Sequence, residues 1–270
     1  MAFVVRKPGT NTTTNKSGKV VVLYGPPLVG KTSTLANDPS IKICLIDLDK
    51  NSTVIEGSDH ITIIGVDSFE EYLAVKEGVD RGVFKYPGGE LKMDFDLYVI
   101  DSFTRMEELI KRWVVDTFAP NRKREIGNKF GAQSDWQDLQ DREIQEIRDW
   151  QAMSKRGDRP INALWIGHDM QVTNEFGQAI ATQLMLQGKY AAPRIGSAVD
   201  AMFYMFKKTN PKNPEQVARG IYTLNDGIIH AEARVHPRNR PKIPKIIWNP
   251  KWSEVFAMLN GEFKDDEKSS

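Results

Sequence analysis

The segment Gly-Pro-Pro-Leu-Val-Gly-Lys-Thr at positions 25–32, followed by Ser33, constrains this chain more than any other feature. It has the form G-x-x-x-x-G-K-[ST] and begins where the β-branched run KVVVLY (19–24) ends. Glycines at this spacing let backbone N–H groups wrap phosphates, and a helix after the loop would point its positive end at them. Gly25, Pro26, Pro27, Leu28, Val29, Gly30, Lys31, Thr32 and Ser33 are therefore the candidate nucleotide-binding residues. Lys31 is placed to reach the β and γ phosphates, and Thr32 to give its hydroxyl to Mg²⁺. The competing reading is an ordinary Gly-Pro turn, and the strand-like run before the loop argues against it.

At 270 residues the chain suits one large α/β domain, or one domain with a small appendage. We expect a flexible lead over 1–18, a core over 19–260 and a polar tail over 261–270. The net charge of +1 supplies no global field for nucleic acid, so such binding must come from local patches. The single cysteine, Cys44, excludes a disulfide framework and points to a reducing compartment. No apolar stretch reaches membrane-spanning length. The N-terminal sequence has a short apolar hook at Phe3–Val5 and no signal-peptide core, so a cytoplasmic location is expected.

Apolar runs at 19–24, 42–47, 61–66, 97–101, 163–167 and 201–206 alternate with helical patterns. That alternation predicts a mainly parallel sheet covered by helices on both faces. Helices are expected over 31–36, 69–79, 105–118 and 136–153, with Ser68 and Glu71 forming a capping box. Asp226-Gly227, between runs 221–225 and 228–235, predicts a C-terminal β-hairpin. Two stretches, 119–134 and 172–197, lack a period and read as long functional loops.

A phosphate loop needs an acidic partner at another strand end. Asp101 ends the run LYVID and suits Mg²⁺, although it could instead cap the following helix. Ser102 follows it, so a water-activating carboxylate must come from elsewhere. Asp49, beyond Asp47 in LIDLDK, can supply one, unless it serves only a turn with Lys50 and Asn51. His168 ends NALWIG and can sense the γ-phosphate, or be an ordinary half-buried histidine. The four histidines show no metal-ligand spacing with Cys44 or with each other.

The order GPPLVGKTS, LIDLD, LYVIDSFTRM and LWIGHDMQ resembles the RecA-like recombinase ATPases. It is especially similar to the short phage-encoded group that includes the Sak-type single-strand annealing ATPases. The resemblance implies a RecA-like P-loop NTPase fold, ATP and Mg²⁺ as ligands, and self-association into a ring or filament. It also implies single-stranded DNA as a partner, a single-strand-binding protein as a further one, and the bacterial host cytoplasm as the location. Under it, Lys31, Asp49 and His168 are catalytic candidates, and Thr32 and Asp101 handle the metal. Asp49 stands where the family has glutamate, and His168 where it has glutamine.

The family's two DNA-binding loops fall on the two aperiodic stretches. The first carries Arg122, Lys123, Arg124, Lys129 and Phe130, and the second Lys189, Tyr190 and Arg194. Cations for phosphates beside aromatics for bases suit single strands. Arg234, Arg238, Arg240 and Lys242 lie where the family places cations that reach a neighbour's γ-phosphate. Two rival readings stay open. One is an ATP-dependent interaction switch or loader that acts on a partner protein. The other is a small-molecule kinase whose lid is the Arg122–Arg124 segment.

Overall fold

The computed structural model describes residues 17–118, 133–156, 159–187, 191–210 and 213–263. Its strands are β1 (Val20–Gly25), β2 (Ile43–Asp47), β3 (Ile61–Gly65), β4 (Val83–Tyr86), β5 (Gly89–Lys92), β6 (Leu97–Asp101), β7 (Asn162–Thr173), β8 (Ala179–Leu184), β9 (Ala201–Asn210), β10 (Asn213–Tyr222), β11 (Glu232–Ala233) and β12 (Ile246–Trp248). Its α-helices are α1 (Phe69–Arg81), α2 (Phe103–Phe118), α3 (Gln133–Ser154), α4 (Ala191–Ala198) and α5 (Trp252–Leu259). The main sheet runs β12-β10-β9-β1-β7-β6-β2-β3, with β8 on β7 and β11 on β9. The six strands from β9 to β3 are parallel. Their C-terminal ends therefore share one edge, where open α/β sheets bind ligands.

Both faces are buried, which explains why these strands are apolar runs and not alternating ones. Val20, Val22 and Tyr24 pack with Trp150, Trp165 and the apolar sides of α1 to α4. Val21 and Leu23 pack on the other face with Leu35, Trp252 and Phe256. The expected capping at α1 is present: the Glu71 N–H donates to Ser68 Oγ at 3.1 Å, and Gly82 ends the helix at φ 83°. The Glu71 carboxylate reaches the Asp67 N–H at 2.7 Å, one residue short of the full box. Among the described residues no helix is long and apolar enough to cross a membrane.

Several expectations are corrected. The helix after the phosphate loop is only a 3₁₀ helix, Thr32–Asn37. Pro39 disfavours helical geometry at Asp38, whose carboxylate bonds Ser40 Oγ and the Ser253 N–H instead. The stretch 172–197 is not one loop. β7 continues to Thr173 and folds back onto β8 through a turn in which Asn174 Oδ1 accepts from Phe176 N and Gln178 N. α4 follows, its aperiodic sequence held by burial of Ala191, Ala192 and Ile195. The C-terminal hairpin is formed by β9 and β10. The chain does turn at Asp226-Gly227, but the strand before it pairs with β9 and β12, and β11 after it pairs with β9. The β4–β5 hairpin had no expectation. Of the expected lead, Gly18 is tied down, its N–H donating to Ser154 O at 2.8 Å. Of the expected tail, Phe263 packs on the core and lies 5.2 Å beneath the Lys242 amine.

Candidate nucleotide-binding site

β1, β2, β6 and β7 deliver the candidate residues to the shared edge because their registers align. Gly25 pairs with His168 across β1 and β7, and Asp47 pairs with Asp101 across β2 and β6. β7 lies between β1 and β6, so His168 stands between the phosphate loop and Asp101. The loop itself is turned by Leu28 at φ 59° and Gly30 at φ 97°, a conformation that favours glycine at the second position. Leu28 is 94 % exposed at the loop tip, whereas Val29 is buried.

Lys31 is buried and its Nζ donates to the carbonyls of Gly25 and Pro26, both at 2.8 Å. Burial lowers its pKa to about 8, against the opposing pull of Asp101, Asp169 and Asp49. An incoming triphosphate would restore a full charge there. Thr32 Oγ1 donates to Asp101 Oδ2 at 2.5 Å. Burial raises the Asp101 pKa to about 6, the Thr32 hydroxyl opposes the rise, and the Asp49 and Asp47 carboxylates add to it. The alternative role for Asp101, capping α2, belongs to Ser102, whose Oγ accepts from Arg105 N at 3.2 Å.

The same division separates Asp47, which ends β2, from Asp49 two residues beyond it. Asp47 is buried, and its Oδ1 accepts the Lys50 N–H at 2.7 Å, so turn chemistry falls there. Asp49 is left half-exposed and lines a cleft of about 320 Å³ with Ser102, Thr104, Arg105 and His168. Burial lowers the His168 pKa and Lys31 lowers it further, while Asp49 and Asp169 oppose. Both effects favour the neutral imidazole.

One neighbour of the loop had no sequence signal. Arg219 on β10 donates from Nε to Val29 O at 3.2 Å, and a Cβ on Gly30 would lie 2.3 Å from that Nε. Gly30 is required by its φ, and a Cβ there would also displace the Arg219 side chain. The contact spans 190 residues of sequence, so no local pattern could reveal it.

Among the described residues no cluster of three His, Cys, Asp or Glu could hold a metal alone. Mg²⁺ does not require one, since it keeps several waters and shares phosphate oxygens. A hydroxyl and a buried carboxylate already brought together, Thr32 and Asp101, are a fitting donor pair for it.

Other candidates sit elsewhere. Arg122, Lys123, Arg124, Lys129, Phe130, Lys189 and Tyr190 lie outside the described residues, as does the Phe3–Val5 hook. Arg194 is on α4, paired with Asp141 at 3.0 Å. Arg234 donates to Ser197 O at 2.6 Å and Gly196 O at 2.9 Å, so its guanidinium closes the end of α4. Arg240 is 3.7 Å from Glu232, and Arg238 is exposed.

A family model described as an AAA domain matches residues 17–235. That span holds the whole phosphate loop, Asp49, Asp101 and His168. No curated protein matches the sequence.

Proposed function

We propose, for a chain that belongs to this AAA-domain family of P-loop ATPases, an Mg²⁺-dependent ATP hydrolysis coupled to single-stranded DNA. The family accounts for the nucleotide. The observation behind hydrolysis is that Asp49 and His168 line one cleft beside Lys31, Thr32 and Asp101. In this reading the Lys31 amine leaves the Gly25 and Pro26 carbonyls and stabilises charge on the transferring phosphoryl group. Thr32 and Asp101 would hold Mg²⁺, which would supply positive charge against the phosphates. Asp49 orients the attacking water. Neutral His168 bonds the γ-phosphate and passes its presence along β7 into the β7–β8 ribbon.

The finer reading is a RecA-like recombination protein of the short phage-encoded group, promoting annealing or strand pairing in the host cytoplasm. It rests on motif order and on the basic, aromatic segments around 119–132 and 188–190. Arg234, Arg238, Arg240 and Lys242 are then candidates to act on a neighbour's nucleotide in a ring or filament, and a single-strand-binding protein is a further partner. Asp49→Asn tests the chemistry: ATP binding should be unchanged and phosphate release should fall by about 100-fold, within the range for losing a positioned general base. Equal turnover by Asp49→Asn and wild type would remove Asp49 from the mechanism.

A further inference from the structure

We infer that the cleft between α3 and α4 binds the sugar-phosphate backbone of a single nucleic-acid strand, an inference that rests on the strand-binding part of the proposed function. The cleft has a volume of about 410 Å³. α3 contributes Arg148 and Gln151 to it, Lys155 follows one residue past the end of α3, and α4 contributes Arg194 and Ser197. No carboxylate lines it.

The surrounding acids are committed elsewhere. Glu146 and Asp149 hold Lys76, each at 2.7 Å. Asp200 Oδ2 accepts from Val20 N and Gln151 Nε2, each at 2.8 Å. Asp141 pairs with Arg194 at 3.0 Å. Arg148 and Lys155 have no carboxylate partner among the described residues, so their charges face the cleft unneutralised.

Spacing favours a strand over a small anion. Arg148 and Gln151, at i and i+3, share one face of α3, and Lys155, just past the helix end, lines the same cleft. The two cations are about 10 Å apart along the axis, at 1.5 Å per residue, which exceeds the reach of one phosphate. Gln151, between them, is 8 % exposed and its buried Oε1 has no hydrogen-bond partner. Its Nε2 is committed to Asp200, so the charges of the cleft rest on Arg148, Lys155 and Arg194. The lining is otherwise aliphatic, with no aromatic ring, so contact would be to the backbone and indifferent to sequence. The cleft is also distinct from the nucleotide site. Ser154, ending α3, bonds Gly18 at the sheet edge opposite the phosphate loop.

The test is fluorescence anisotropy of labelled oligo-dT with the full chain, wild type against Arg148→Ala/Lys155→Ala, across a salt series. Both side chains are exposed, so the variant should melt like wild type and keep basal ATP hydrolysis. The expected result is at least a tenfold weaker Kd and a salt slope shallower by about 1.4, at about 0.7 per single-strand phosphate lost. Wild-type binding with an unchanged variant overturns this inference and leaves the proposed function standing. No wild-type binding removes strand binding itself, and this inference with it. Displacement of the strand by inorganic phosphate at matched ionic strength would make the cleft a small-anion site and also overturn it.

Discussion

Lys31→Ala is expected to lower ATP turnover by about 100- to 1,000-fold, the usual cost of removing one preorganised charge-stabilising donor. The amine is held on the loop's own carbonyls, 2.8 Å from both Gly25 and Pro26. The fold should not suffer. Burial disfavours the charged amine and lowers its pKa to about 8, so its removal relieves a desolvation cost. Turnover assays beside thermal melting separate the two effects: lost activity with an unchanged or higher Tm is expected. Wild-type turnover would show that the triphosphate is handled elsewhere.

Asp101→Asn should lower kcat/KM by about 100-fold at limiting Mg²⁺, with recovery as Mg²⁺ is raised. Asparagine keeps an oxygen to accept the Thr32 hydroxyl, so the loop contact survives and only the charge is lost. Wild type should show the same loss on acidification. With its pKa raised to about 6 by burial, Asp101 is ionised at pH 7 and takes up a proton as the pH falls through 6. A Mg²⁺ titration of turnover checks both, and an unchanged Mg²⁺ requirement would exclude Asp101 from the metal.

What the sequence made legible was local. The phosphate loop encodes its mechanism in eight consecutive residues, and β1, β2, β6 and β7 announce themselves as apolar runs because both sheet faces are covered. Asp101 ends one of those runs and His168 follows another, so reading the strands also located both. Asp49 against Asp47 needed the turn geometry: only the Lys50 N–H, given to Asp47, shows which carboxylate is free for the cleft. The non-local features were illegible. Arg219 reaches Val29 from a distant strand, and β8 and α4 have sequences whose order comes from tertiary contacts and not from period. Asp226-Gly227 turned as expected, yet the strand before it pairs with β9 on one edge and β12 on the other, which leaves β11 to pair with β9.

The most direct measurement is phosphate release from ATP by wild type as single-stranded DNA is added, with Lys31→Ala as the blank. Mg²⁺-dependent release that rises with the strand and saturates is expected. Release that is absent, or indifferent to DNA while ATP still binds, would contradict it and favour a nucleotide-dependent switch acting on a partner protein.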